Sequence, residues 1–343
     1  MKAGRPRRGV PLKGRPRGDV ADRARKALPS KSPQPSHPTD FLGSHVSVAG
    51  GVVNAFERGR AVGCAALQVF TKSNFQWAGH PLHEDEVRRF REALAGSAMP
   101  IGAHSGYLIN LGAAGGPNLK KSIDSTIEEL VRAHLLGIPF VVLHPGSHLG
   151  GGEEAGLKRI AQHLKEIFSA TRELDVKIAL ETTAGQGSCL GGKFEHLAEL
   201  YRLVNQPERL AVCFDTCHVF AAGYDFARQP DRVLEEFDRV VGLGEIVMFH
   251  FNDSKGERGS RLDRHEHIGE GKIGLDAFRV ILRDRRFERV PKILETPKDK
   301  TGRLDRKNLK VLRSLMSGEA RPRASSAAAN RPAPARARLR ARS

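Results

Sequence analysis

The chain has 343 residues and a formal charge of +17, length enough for one barrel domain of about 250 residues plus appendages, or for two smaller domains. The charge is uneven: residues 1–40 hold eleven Lys/Arg against three Asp, residues 317–343 hold seven Arg against Glu319, and +3 remains for residues 41–316. There is no apolar core of roughly 7–15 residues for a signal peptide and no run near the ~20 residues of a membrane helix, which makes a cytoplasmic protein the expectation, nucleoid-associated if bacterial.

In chain order, residues 1–40 come first, rich in Pro, Arg and Gly and free of aromatic residues. Such a composition buries too little apolar surface to offset the entropy of ordering. They are read as a disordered basic tail, and residues 317–343, rich in Arg, Ala and Pro, as a second. Basic segments of this kind attract polyanions by counterion release, with little sequence preference.

From residue 41 one unit repeats: a short apolar, β-branched run, a polar or Gly-rich break, then a helical stretch. The runs are Phe41–Val46, Ala65–Phe70, Pro100–Ala103, Pro139–Leu143, Val176–Leu180, Leu210–Phe214, Ile246–Phe249 and Pro291–Leu294. Helical patterns follow at Asn54–Val62 and 83–95. Pro117 opens a third, in which Ile123, Ile127, Leu130 and Val131 keep the 3.6 period until Gly137. A fourth carries Leu157, Ile160, Leu164, Ile167 and Phe168 on one face, and others span 194–204, 230–241, 275–283 and 303–316. Strands covered on both faces read as continuous apolar runs. Eight of them alternating with eight helices predict a single closed (β/α)8 TIM barrel over residues 41–316. An open doubly wound sheet is the alternative, but no GxGxxG follows the first run.

A barrel gathers its strand ends on one rim. There the third to eighth strands would place His104, His144, Glu181, Asp215 with His218, His250 and Glu295, and the loop after the seventh adds Asp263 and His265. A lone His at a strand end is an ordinary structural hydrogen-bonder, and Asp263-x-His265 by spacing alone reads as an exposed turn. Together they mean more, because carboxylates facing one another repel unless cations lie between them. Nitrogen and oxygen donors without thiolate suit zinc, with manganese or iron as alternatives, and nine residues suffice for two or three ions if one carboxylate bridges. The four cysteines, Cys64, Cys189, Cys213 and Cys217, form no CxxC pair, and a reducing compartment suits them.

Several metals with open positions generate hydroxide at neutral pH and neutralise both oxygens of an in-line phosphoryl displacement. With basic tails, the natural substrate is a nucleic-acid phosphodiester. The loop Thr71–Trp77 supplies Lys72, Asn74, Phe75, Gln76 and Trp77 for phosphate contact and wedging into a base stack, and Tyr107 lies just past His104. Loop packing is the other reading of both strings.

Longer strings sharpen this: Gly43-Ser44-His45-Val46-Ser47, Phe70-Thr71-Lys72, Tyr107-Leu108-Ile109-Asn110-Leu111 and His144-Pro145-Gly146-Ser147-His148. Glu181-Thr182-Thr183-Ala184-Gly185-Gln186-Gly187 and Asp215-Thr216-Cys217-His218 follow, then His250-Phe251-Asn252-Asp253, Asp263-Arg264-His265 and Leu294-Glu295-Thr296. In this order, over residues 42–315, the chain resembles endonuclease IV, the zinc-dependent apurinic/apyrimidinic endonuclease family of base excision repair. The resemblance implies three zinc ions per chain, with Mn2+ or Fe2+ able to substitute. His104, His144 and Glu181 would hold the first ion. Glu181 would bridge to a second on Asp215, His250 and Glu295, and His218, Asp263 and His265 would hold the third. Glu181 and Glu295 carry over as catalytic. Gln76 and Tyr107 match the family's loops that fill the gap left by a flipped abasic nucleotide, and with Lys72 and Phe75 from the same rim loops they are the expected contacts to double-stranded DNA containing an abasic site.

The reaction implied is hydrolysis 5′ to the abasic sugar, leaving a 3′-hydroxyl and a 5′-deoxyribose phosphate, by a monomer. Phe75 departs from the basic residue that relatives often carry before the Gln-Trp pair, and Ser105-Gly106 and Thr182 are also less usual. A metal-dependent sugar isomerase or epimerase on the same barrel type is the other enzyme reading, and a catalytically inactive DNA-binding relative is the third.

Overall fold

Short apolar runs with helix-forming breaks between them pair in parallel, because each crossover returns the chain to the same end of the sheet. In the computed structural model, which describes residues 40–317, eight such strands close on themselves. They are β1 (Leu42–His45), β2 (Ala66–Phe70), β3 (Ile101–His104), β4 (Phe140–Leu143), β5 (Lys177–Glu181), β6 (Leu210–Asp215), β7 (Ile246–His250) and β8 (Lys292–Leu294). Each pairs in parallel with its sequence neighbours, and β1 closes the ring against β8 with Ser44 opposite Leu294. The predicted TIM barrel is the observed fold. Both tail readings lie outside the described residues.

The strands are wrapped by α1 (Asn54–Val62), α2 (Glu84–Ser97), α3 (Pro117–Leu136), α4 (Glu153–Ala170), α5 (Phe194–Val204), α6 (Thr216–Ala222), α7 (Pro230–Val240), α8 (Leu275–Arg283) and α9 (Arg303–Ser317). Pro117 and Pro230 open α3 and α7, where their missing N–H is no loss. Gly137 ends α3 in the left-handed region, and its N–H reaches back to Ala133. Apart from α6, the helices bury one face each against the outside of the barrel. Between the two layers lie Leu67, Val69, Leu143, Leu164, Leu180, Phe214 and Phe249.

The inward faces form a second, smaller core of Ala66, Phe140, Val142, Ala179, Ala211, Cys213, Met248 and Ile293. Gly102 leaves room for it, since a Cβ there would lie 2.6 Å from the Phe140 ring. Large and small side chains thus share one layer across the barrel.

Nine α-helices stand among the described residues where the sequence pattern predicts eight. The addition is α6, which begins directly after Asp215. Thr216 through Ala221 are all buried, so this helix has no polar face to produce a period. Asp215 caps it, its Oδ1 accepting from the His218 N–H at 2.7 Å. Two short antiparallel ladders brace the rim: Gly146–Ser147 against Cys189–Leu190, and Asp253–Ser254 against His265–Glu266.

Candidate metal centre

Glu181 ends β5 with no solvent exposure, and its two oxygens face different neighbours. Oε2 lies 3.2 Å from His104 Nε2 and 3.1 Å from His144 Nε2, at the ends of β3 and just beyond β4. Oε1 lies 2.9 Å from His250 Nδ1, whose other close carboxylate is Glu295 Oε2 at 3.3 Å. A third group surrounds Asp263 Oδ1, which sits 3.1 Å from His218 Nε2 and 3.4 Å from His265 Nε2.

These side chains form three sets of donor atoms, each within 4.8 Å of one another: His104, His144 and Glu181; Glu181, Asp215, His250 and Glu295; His218, Asp263 and His265. A fourth set overlaps them through Asp215, Cys217 and His265. Burial, then the charge of Asp215, pushes the Cys217 thiol up to about 12, and its sulfur sits 3.7 Å from the Arg264 carbonyl. Cys217 therefore stays protonated and is the poorest donor of the group.

Backbone carbonyls aim several rings. Nδ1 of His104 faces the carbonyl of Ser105 at 2.8 Å, that of His218 the carbonyl of Thr182 at 2.9 Å, and that of His265 the carbonyl of Glu295 at 3.2 Å. A carbonyl only accepts, so each ring carries its proton on Nδ1 and turns an Nε2 lone pair toward the cluster. Asn252 holds two of the carboxylate residues: its Nδ2 donates to Asp215 Oδ2 at 2.7 Å, and its Oδ1 accepts from the Glu295 N–H at 2.9 Å.

The electrostatics follow from the crowding. Burial alone would raise Glu181, but His250, His144 and His104 outweigh it and hold the carboxyl well below its usual range. Glu295 is depressed in the same way, with His250, His45 and His104 prevailing over burial. Burial alone would lower His218, but Asp215, Asp263 and Glu181 raise it well above the ordinary imidazole value.

A bound cation fits this arrangement. His218 Nε2 and His265 Nε2 are both shielded from solvent, both point at the same Asp263 oxygen, and neither makes a hydrogen bond. Two aligned donors around one carboxylate oxygen without a hydrogen bond are what an ion between them would satisfy. The donor set, nitrogen and oxygen with the thiol withheld, matches zinc and the harder divalent metals.

Of the expected DNA contacts, Phe75 and Tyr107 stand at the rim, 70% and 62% exposed, with ring centroids 5.8 Å apart edge to face. The Tyr107 N–H donates to the Asn74 carbonyl at 3.1 Å, tying the two loops together. Gln76 is exposed beside them. Lys72 departs from the expectation of a phosphate contact. It is buried, and its ammonium turns inward to the Trp77 carbonyl, Ser125 and Glu128, so it fastens the loop to α3. A cleft of about 530 Å³ opens between the first, second and eighth strands, lined by His45, Phe70, Tyr107, His265, Glu295 and Lys298.

Sequence reasoning passed over Gln68, and it gave His45, Asn252 and Thr182 no role beyond their place in longer strings. For Gln68 the available signal was a polar residue interrupting an apolar run, Ala66-Leu67-Gln68-Val69-Phe70.

Residues 56–315 match a family described as a xylose isomerase-like TIM barrel. A protein of Geotalea daltonii named probable endonuclease 4 is 48% identical over 81% of this chain and 98% of its own. The crystal structure of endonuclease IV from Thermus thermophilus is 39% identical, with a TM-score of 0.72 over 80% of this chain and 98% of that one. A D-tagatose 3-epimerase-like protein shares the fold alone, at 19% identity and a TM-score of 0.60. Sequence over nearly the whole length of these relatives, and not fold alone, therefore separates the endonucleases from the epimerases, and the chain belongs to the endonuclease IV family.

Proposed function

We propose that the protein is a DNA-repair endonuclease of base excision repair. It hydrolyses the phosphodiester 5′ to an abasic site in duplex DNA, leaving a 3′-hydroxyl and a 5′-deoxyribose phosphate. The observation that carries this is the meeting of three donor sets, two of them sharing Glu181, in a barrel of the endonuclease IV family. Three zinc ions on those sets would supply hydroxide at neutral pH and neutralise the attacking and leaving oxygens.

The chain's own groups do the rest. Glu181 ties the first set to the second through its two oxygens, fixing their spacing. Glu295 presents Oε2 toward His250 while Oε1 is held from behind by Gln68, which keeps the carboxylate from swinging into the cleft. Phe75, Gln76 and Tyr107 offer a rim surface on which bases beside the lesion can stack. A sugar isomerase or epimerase would have no use for the His218–Asp263–His265 set, nor for an exposed aromatic pair at the mouth.

The protein acts as a monomer in the cytoplasm, and the basic tails serve as nonspecific tethers to DNA. Among the described residues no helix is long and apolar enough to cross a membrane.

The test is strand cleavage of a duplex holding one abasic site, before and after chelation. Cleavage that disappears with chelator and returns with zinc, together with about three ions per chain by metal analysis, is the expected result. No cleavage, or cleavage indifferent to chelator, would sink the reading.

A further inference from the structure

One fully buried amide interrupts the apolar run of β2. Gln68 shares the inward face with Ala66 and Phe70, so it stands between the apolar layer of the barrel and the donor cluster above it. Its oxygen Oε1 lies 2.8 Å from His250 Nε2. Its nitrogen Nε2 lies 2.6 Å from Glu295 Oε1 and 2.9 Å from His45 Nδ1. The orientation of the amide follows from its neighbours: turned over, an oxygen would face the Glu295 carboxylate at that same short distance.

An amide oxygen only accepts, so His250 must donate from Nε2. Its lone pair is then on Nδ1, the atom 2.9 Å from Glu181 and 3.3 Å from Glu295. This is the reverse of His104, His218 and His265, which place Nδ1 against a backbone carbonyl and turn Nε2 inward. His250 is held the other way round by a side chain. The same side chain grips one oxygen of Glu295 and leaves the second to the cluster.

We infer that Gln68 is a positioning residue for the second donor set: it fixes the His250 tautomer with Nδ1 inward and orients Glu295 in the same stroke. Gln68 touches no reacting group itself and acts through these two ligands. The inference deepens the proposed function and rests on it, but two of its three readouts do not depend on DNA cleavage.

The first readout needs no variant. In zinc-loaded protein labelled with 15N-histidine, long-range 1H–15N spectra are expected to show His250 protonated on Nε2 and metal-bound through Nδ1. The second uses Gln68→Met, which keeps the volume and removes both polar contacts. One of the bound ions should be lost to a competing chelator at about 10–100-fold lower chelator concentration, while the others hold as in the unaltered protein. The third is kinetic: kcat on an abasic duplex should fall by about the same factor, with KM little changed.

Gln68→Glu separates the two roles. It should preserve the His250 tautomer, because an oxygen still faces Nε2, yet weaken the same ion, because two carboxylates then face each other. His250 protonated on Nδ1 in the unaltered protein, or Gln68→Met with metal retention within about twofold, overturns the inference. If the unaltered protein fails to nick an abasic duplex while the spectra and the chelator titration come out as expected, the endonuclease reading falls and the role of Gln68 stands.

Discussion

Two layers of the barrel interior lie one strand period apart and could hardly differ more. The lower layer holds Ala66, Ala179, Cys213, Met248 and Ile293, packed without a charge among them. Two residues further along the same strands, or just past their ends, stand Gln68, Glu181, Asp215, His250 and Glu295. Ala179 gives way to Glu181, Cys213 to Asp215, Met248 to His250 and Ile293 to Glu295. Because side chains alternate along a strand, a step of two keeps the inward direction and changes only the height. The lower layer is held by packing and excludes water, and the upper is held by charge and needs opposite charge or metal to exist. The first makes the second rigid.

This contrast can be broken from either side. The largest effect is expected from Glu181→Gln, which removes the charge shared by two donor sets. Abasic-site cleavage should drop by on the order of a thousandfold, and metal analysis should show loss of more than one ion. Retained metal content would separate Glu181 from ion binding.

A lower-layer change should do the opposite. Met248 is fully buried, and Met248→Ala opens a cavity expected to cost about 2–5 kcal/mol of stability by denaturant unfolding. Cleavage per folded molecule should change far less than for Glu181→Gln. Comparable loss of activity would mean that the two layers are not separable.

Acidity probes the upper layer alone. In protein stripped of metal, Asp215, Asp263 and Glu181 keep His218 protonated well above its ordinary value of 6.5 despite burial, and Glu181 and Glu295 raise His104 above that value against its burial. Folded imidazoles that bind protons more tightly than the unfolded chain add stability that is complete below about pH 6.5. It is lost as the pH rises through the raised values. Melting of the stripped protein should therefore weaken on the alkaline side, and melting of the metal-loaded protein should not, since metal and proton compete for the same lone pairs. Parallel pH profiles for the two forms would contradict this.

The smallest effect is expected at the rim. Phe75→Ala removes one stacking surface, worth about 1–3 kcal/mol per base, and should weaken binding of an abasic duplex by roughly tenfold or more. The salt dependence of binding should not change, because no phosphate contact is lost. Deleting both tails should do the reverse, lowering the salt slope and leaving the cleaved position unaltered.

Much of this was legible in the sequence, for a physical reason. A buried parallel strand is an unbroken apolar run, so the charged residue that ends it is conspicuous, and His104, His144, Glu181, Asp215, His250 and Glu295 all stood out in that way. Asp263 and His265 were fainter, because a polar loop hides ligands among solvated neighbours: by spacing alone they read as an exposed turn, and only their place between the seventh and eighth strands, and then the family resemblance, raised them. Helix α6 was invisible for the opposite cause, with no polar face at all. Lys72 was misread because its partners, Ser125 and Glu128, lie far along the chain on another element. Gln68 and Asn252 acquire a role only from what the barrel sets across from them, and no local window contains that.

The cap on α6 has a consequence for any substitution at Asp215. Asp215 binds the His218 N–H through Oδ1, so the side chain that serves the second donor set also starts the helix that carries a member of the third. Asp215→Ala is thus two lesions in one: an uncapped helix, costing about 1 kcal/mol, and a missing ligand. Asp215→Asn keeps a capping oxygen and alters the charge. The difference between the two in affinity for the third ion then reads how much the cap on a single peptide N–H supports the set that His218 belongs to.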